Sequence, residues 1–139
     1  MTYDSESNIP KERSLMEVSD RTKQIVEENM PAASEKVKQE TKELIEATSR
    51  KAQSEAQKAS ELTQDTYLQA VRTVREEVES TNMFDPERIE YSFKLMQMDA
   101  ERNWEALTKD VQEFGDRLNE AATAAWEILT APREDDSRS

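Results

Sequence analysis

The sequence predicts an all-α protein, built of long amphipathic helices packed as a helical hairpin or coiled-coil bundle between disordered ends. Three observations carry this. Ala, Glu, Lys and Gln, all good helix formers, dominate the middle of the chain, and no Pro or Gly occurs between Ala32 and Asp85. The four prolines fall at positions 10, 31, 86 and 132, where they punctuate segments and do not interrupt patterns. Apolar residues in the second half recur at steps of three and four, the period of one helix face.

Taken in order, residues 1–11 are polar and read as a disordered N-terminus. A first helix is expected over about 12–29, with Leu15, Val18, Thr22 and Ile25 on one face. Met30-Pro31 interrupts it, and Pro31 suits the first position of a second helix running to about Ser80. At 1.5 Å per residue that helix would be a rod of roughly 75 Å. It must pair lengthwise or break. Thr81 to Pro86 reads as a turn, with Asp85 as N-cap, Pro86 at the first helical position and Glu87 complementing the dipole. The third helix then spans about 86–131, so that 12–131 form a single helical domain. Residues 132–139 make a charged tail, expected to be a disordered acidic end.

The third helix carries the strongest pattern. Ile89, Phe93, Met96, Ala100, Trp104, Leu107, Val111, Phe114, Leu118, Ala121, Ala125 and Ile128 follow one another at a mean step of about 3.5 residues, the coiled-coil period. The double step of four at Met96–Ala100–Trp104 is a stutter, which locally unwinds a supercoil. Leu95, Met98, Ala122, Trp126 and Leu129 widen the stripe beyond a two-helix seam. At about 1.5–3 kcal/mol for each large side chain buried, this face is too costly to leave in water. It is either the internal seam of a bundle or a surface for a partner, and an opened bundle would offer the same face.

The second helix is the weaker element in this reading. Val37, Thr48, Ala59, Ala70 and Thr81 recur every 11 residues, as do Thr41, Ala52, Thr63 and Val74, giving a nearly straight strip of small side chains. From Glu46 to Glu61 its only apolar residues are alanines, and a solvated Ala-rich helix is the expectation. The run TSRKAQSEAQKASELTQD resembles the 11-residue helices of late-embryogenesis-abundant proteins, which implies a stress-protective helical protein.

Composition narrows the function. The chain has no His, no Cys and one Gly, so it lacks an imidazole base, a thiol nucleophile, the usual zinc ligands and any phosphate-cradling glycine loop. No catalytic, cofactor-binding or metal site is expected, and the protein is read as a non-enzyme. The net charge of −12 disfavours nucleic acid. No stretch approaches the ~20 apolar residues of a transmembrane span. The N-terminus has no signal-peptide pattern, and a cytoplasmic location is the expectation.

The segment FDPERIEYSFKLMQMDAERNWEALTKDVQEF resembles the phasins, small helical proteins that coat polyhydroxyalkanoate granules. The likeness lies in Arg102-Asn103-Trp104-Glu105-Ala106-Leu107-Thr108 and in the preceding Asp85-Pro86-Glu87. It implies an amphipathic coat that self-associates as a homo-oligomer. The apolar interaction face would be Ile89, Phe93, Met96, Trp104, Leu107, Val111, Phe114, Leu118, Trp126 and Ile128. A coiled-coil adaptor or oligomeric scaffold that offers this face to a partner protein's helix is the main alternative.

Overall fold

A computed structural model describes residues 18–59 and 62–131. The disorder expected for 1–11 and for 132–139, and the expected start of the first helix at 12, lie outside the described residues. Between them the chain is a bundle of helices, with no strand among the described residues.

Helix α1 spans Asp20–Asn29. Ser19 caps it, its hydroxyl accepting from the Thr22 amide at 3.3 Å, and Thr22, Ile25 and Val26 form its buried face. Pro31 does not open the next helix, contrary to the sequence reading. Residues 30–34 form a turn, and Ser34 begins α2 (Glu35–Ala59) by accepting from the Val37 amide at 3.2 Å. A hydroxyl can satisfy an orphan amide directly, which proline cannot do, so the start moves four residues along.

The rod expected over 31–80 is broken. Helix α3 starts at Gln64 and runs to Ser80, behind a reciprocal cap in which Thr63 and Thr66 each accept from the other's amide. Neither Pro nor Gly marks this stop. Two threonines three apart suffice once α3 folds back antiparallel on α2, with Lys51 opposite Glu77. Asn82, at φ 56°, turns the chain again. Helix α4 (Pro86–Arg102) then begins as the sequence indicates: Asp85 accepts from the Glu87 amide at 2.9 Å, with Pro86 at the start.

The third segment is also divided, into α4, α5 (Trp104–Phe114) and α6 (Leu118–Thr130). The first break is at Asn103, within the stutter, where the backbone turns to φ −128°, ψ 36°. The helical bonding runs up to the break, with the Asn103 amide donating to the Asp99 carbonyl, and the Ala100 carbonyl freed there accepts from Gln64 Nε2 at 2.8 Å. The second break is at Gly115, at φ 55°, ψ −130°, followed by a 3-10 turn over Gly115–Arg117. These two bends let one stripe wrap around α2 instead of passing it once.

Helix α2 is therefore the centre of the bundle. It packs against α3 and α6 along its length, and against α1 and α4. Every residue from Glu43 to Arg50 is buried, more than two full turns with no side facing water. This corrects the expectation of a solvated helix. Ala47, Ala52, Thr41 and Thr48 are wholly buried because short side chains let α6, itself lined by Ala122 and Ala125, approach closely. Leu44, Ile45, Val71, Val74, Val78, Ile89, Met96, Leu107, Leu118 and Leu129 fill the remaining space.

A Cβ added at Gly115 would meet no atom within 4 Å, so the cost of replacing it is backbone strain alone. Gly115→Ala should lower stability by about 1–3 kcal/mol, read as a shift in the urea midpoint with an unchanged slope.

Candidate interaction site: an apolar seam closed on a polar centre

The ten residues singled out as an apolar face are brought together, but they point inward. Ile89, Phe93 and Met96 of α4, Leu107 and Val111 of α5, and Leu118 of α6 are buried. Trp104, Phe114, Trp126 and Ile128 are half-buried and pack on the same core. Met83 is the one large hydrophobic residue exposed among the described residues. In the closed bundle the seam is consumed internally.

It meets there the apolar residues of α1, α2 and α3, among them Val26, Leu44, Ile45, Val71, Val74 and Val78, and polar side chains beside them. Basic residues of α2 and α3 cover the seam's aromatic rings: Arg50 lies 4.0 Å from the centre of Phe114, Lys51 4.7 Å from Trp126 and Arg75 5.6 Å from Phe93. Trp104 packs against Tyr67 of α3 at 5.8 Å between ring centres, tilted by 51°.

Deeper in, polar side chains occupy the centre. The Tyr67 hydroxyl lies 2.8 Å from Ser49 Oγ, which also accepts from Gln53 Nε2 at 2.9 Å. Burial, only partly offset by that contact with Ser49, pushes the Tyr67 phenol up to about 12. Glu46 Oε1 accepts from the Ser19 amide, Ser19 Oγ and Thr22 Oγ1 at 2.8–3.2 Å. Its other oxygen lies 2.6 Å from an Arg50 nitrogen, an ion pair without hydrogen-bond alignment. Thr48 Oγ1, Gln53 Oε1 and Ser92 Oγ are buried with no partner among the described residues. Each such atom costs about 1–3 kcal/mol relative to a satisfied one.

A third polar group spans the Asn103 bend. Arg21 of α1 donates to Asp99 of α4 at 2.8 Å and also pairs with Asp110 of α5. Burial pulls the guanidinium down, but Asp99 and Asp110 outweigh it and raise Arg21 above its ordinary value. Asp99 also accepts from Asn103 Nδ2 at 3.0 Å, so the clasp and the bend share one carboxylate. On the outer side, Glu27 accepts from Lys38 and Lys42, and those hydrogen bonds hold its carboxyl below the usual range.

Sequence reasoning missed the polar centre because Glu46, Ser49, Gln53, Tyr67 and Asp99 have no periodic apolar signature. Thr22, Thr41 and Thr48 did fall on the expected stripes, and all three are buried. Among the described residues no group of His, Cys, Asp and Glu could hold a metal ion, and no helix is long and apolar enough to cross a membrane. No family model, curated protein or solved structure matches the chain.

Two measurements probe the centre. In the unfolded chain a tyrosine ionises near 10, whereas folded Tyr67 holds its proton to about 12. Its contribution is intact below pH 10 and falls as pH rises toward 12, by up to about 3 kcal/mol. Urea midpoints between pH 9 and 12 should decline less steeply in Tyr67→Phe. Thr48→Val keeps the shape and removes an unpaired hydroxyl, so it should stabilise by about 1 kcal/mol, seen as a higher thermal midpoint.

Proposed function

We propose that this chain is a non-enzymatic structural protein that coats a hydrophobic surface by opening its bundle, with a polyhydroxyalkanoate granule, in the manner of phasins, as the favoured surface. The observation that supports this is the mismatch between the two sides of the core. The seam on α4, α5 and α6 is strongly apolar, yet in the closed form part of it packs on a helix that also holds Glu46, Ser49, Arg50 and Gln53, and three buried polar atoms have no partner among the described residues.

An apolar surface resolves that mismatch. It offers the seam an all-apolar contact and returns the polar residues of α2 to water, so the surface favours the open form. Asn103 and Gly115 interrupt an otherwise helical stretch from Pro86 to Thr130. Straightening there would align the stripe along one helix of about 45 residues, roughly 68 Å long. Trp104, Phe93, Phe114 and Leu118 supply the contact, and Trp126, with an apolar ring and a polar N–H, suits the boundary with water. The acidic opposite face keeps coated particles apart by charge. In the cell this places the protein in the cytoplasm on granules, self-associated when free.

A tether provides the test. Ser54 Oγ of α2 lies 3.1 Å from Asn119 Oδ1 of α6, and the chain has no cysteine of its own. The double variant Ser54→Cys, Asn119→Cys should bind polymer particles in co-sedimentation when reduced and lose binding when oxidised. Thr48→Val, with a more stable closed form, should coat more slowly than the parent. Equal binding by oxidised and reduced protein would refute opening. Absence of binding by the parent chain would refute the coat, and fixed-stoichiometry capture of a partner helix would favour an adaptor.

A further inference from the structure

A cavity of about 540 Å³ opens between the start of α1, the middle of α2 and one side of α6. Its size falls in the range of small-molecule sites. One wall is apolar, made of Ala121, Ala124, Ala125 and Ile128, and Phe114 also lines the cavity. The opposite side carries Ser19, Asp20, Lys23, Glu46 and Arg50.

The charges there are unevenly engaged. Glu46 is occupied by Ser19, Thr22 and Arg50. Arg50 is only 7% exposed, yet beyond its ion pair with Glu46 and its stacking on Phe114 it makes no hydrogen bond among the described residues. A buried guanidinium with free donors beside a cavity is a ready partner for a planar anion. Lys23 lines the same cavity, and Arg117 lies 5.9 Å from the centre of the Phe114 ring on which Arg50 stacks. Two cations, Lys23 and Arg50, thus face the apolar wall of the cavity beside Asp20 and Glu46.

We propose that this cavity binds a single-chain amphiphile with a carboxylate head, such as a medium-chain fatty acid. The head sits on Arg50, with Lys23 on the same side of the cavity, and the acyl chain lies along the alanines and Ile128 of α6. This site belongs to the closed bundle and does not depend on the coat reading.

Calorimetric titration of the full chain with octanoate, decanoate and dodecanoate, below their micelle concentrations, tests this. One site per chain is expected, with affinity rising about fourfold per methylene, the equivalent of ~0.8 kcal/mol, until the cavity is full. Decan-1-ol, with no charge, should bind at least tenfold more weakly than decanoate, and decyltrimethylammonium should not compete. Decyl phosphate matching decanoate would show that Arg50 selects charge alone and would overturn the carboxylate assignment. Ala124 is exposed on α6, so Ala124→Trp fills the mouth without disturbing the core and should abolish binding. Lys23→Gln should weaken it severalfold while leaving the Arg50–Glu46 pair in place. Decanoate should still bind the oxidised Ser54→Cys, Asn119→Cys bundle, which separates this site from surface coating. Many weak unsaturable sites, equal binding of the alcohol, or indifference to Ala124→Trp would each overturn the proposal.

Discussion

The burial of α2 on all sides is the constraint from which the other features follow. A helix enclosed by its neighbours over more than two turns cannot carry large side chains everywhere, or those neighbours could not close around it. Its Ala, Ser and Thr residues permit that closure. The polar side chains they leave in the interior then need partners, and most have them: Glu46 with Ser19 and Thr22, Ser49 with Tyr67 and Gln53. The three buried polar atoms left over mark where packing and hydrogen bonding could not both be satisfied.

Enclosing α2 also dictates the bends. A straight helix from Pro86 to Thr130 would touch α2 over a limited length and leave the ends of its stripe in water. Bending at Asn103 and Gly115 brings α4, α5 and α6 to the core in turn, at the cost of helical continuity. Compensation at the first bend is visible in Gln64, which takes the Ala100 carbonyl, and in Arg21, which ties Asp99 to Asp110 across it. Gly115 meets the second bend through its own conformational freedom.

This arrangement separates two sources of stability that a two-helix seam would combine. Apolar burial comes mainly from α4 to α6 and from α3, while the centre contributes specificity through hydrogen bonds whose net value is modest. Such a core has an alternative: any partner that replaces the polar helix with an apolar contact gains what the closed bundle forgoes. Cation–aromatic contacts from Arg50, Lys51 and Arg75 offset part of the difference, so that the rings are covered by the charged ends of long basic side chains.

Much of this was legible in the residues alone. Helix propensity and the 3.5-residue apolar period act locally, so they identified the helical class, the Asp85-Pro86 start and an apolar stripe of which Ile89, Phe93, Met96, Leu107, Val111 and Leu118 are buried. The stutter at Met96–Ala100–Trp104 marked the place of the first bend. The cap at Ser34, the stop at Thr63 and the burial of α2 were not legible. A threonine or serine serves equally well inside a helix or at its end, and only the docking of a neighbour decides between them. Whether a short side chain is buried depends on how closely another helix approaches, and that distance is set by the whole bundle. The chain by itself determined which face must be covered; the tertiary structure decided that α2, with its polar centre, and α3 of the same chain cover it.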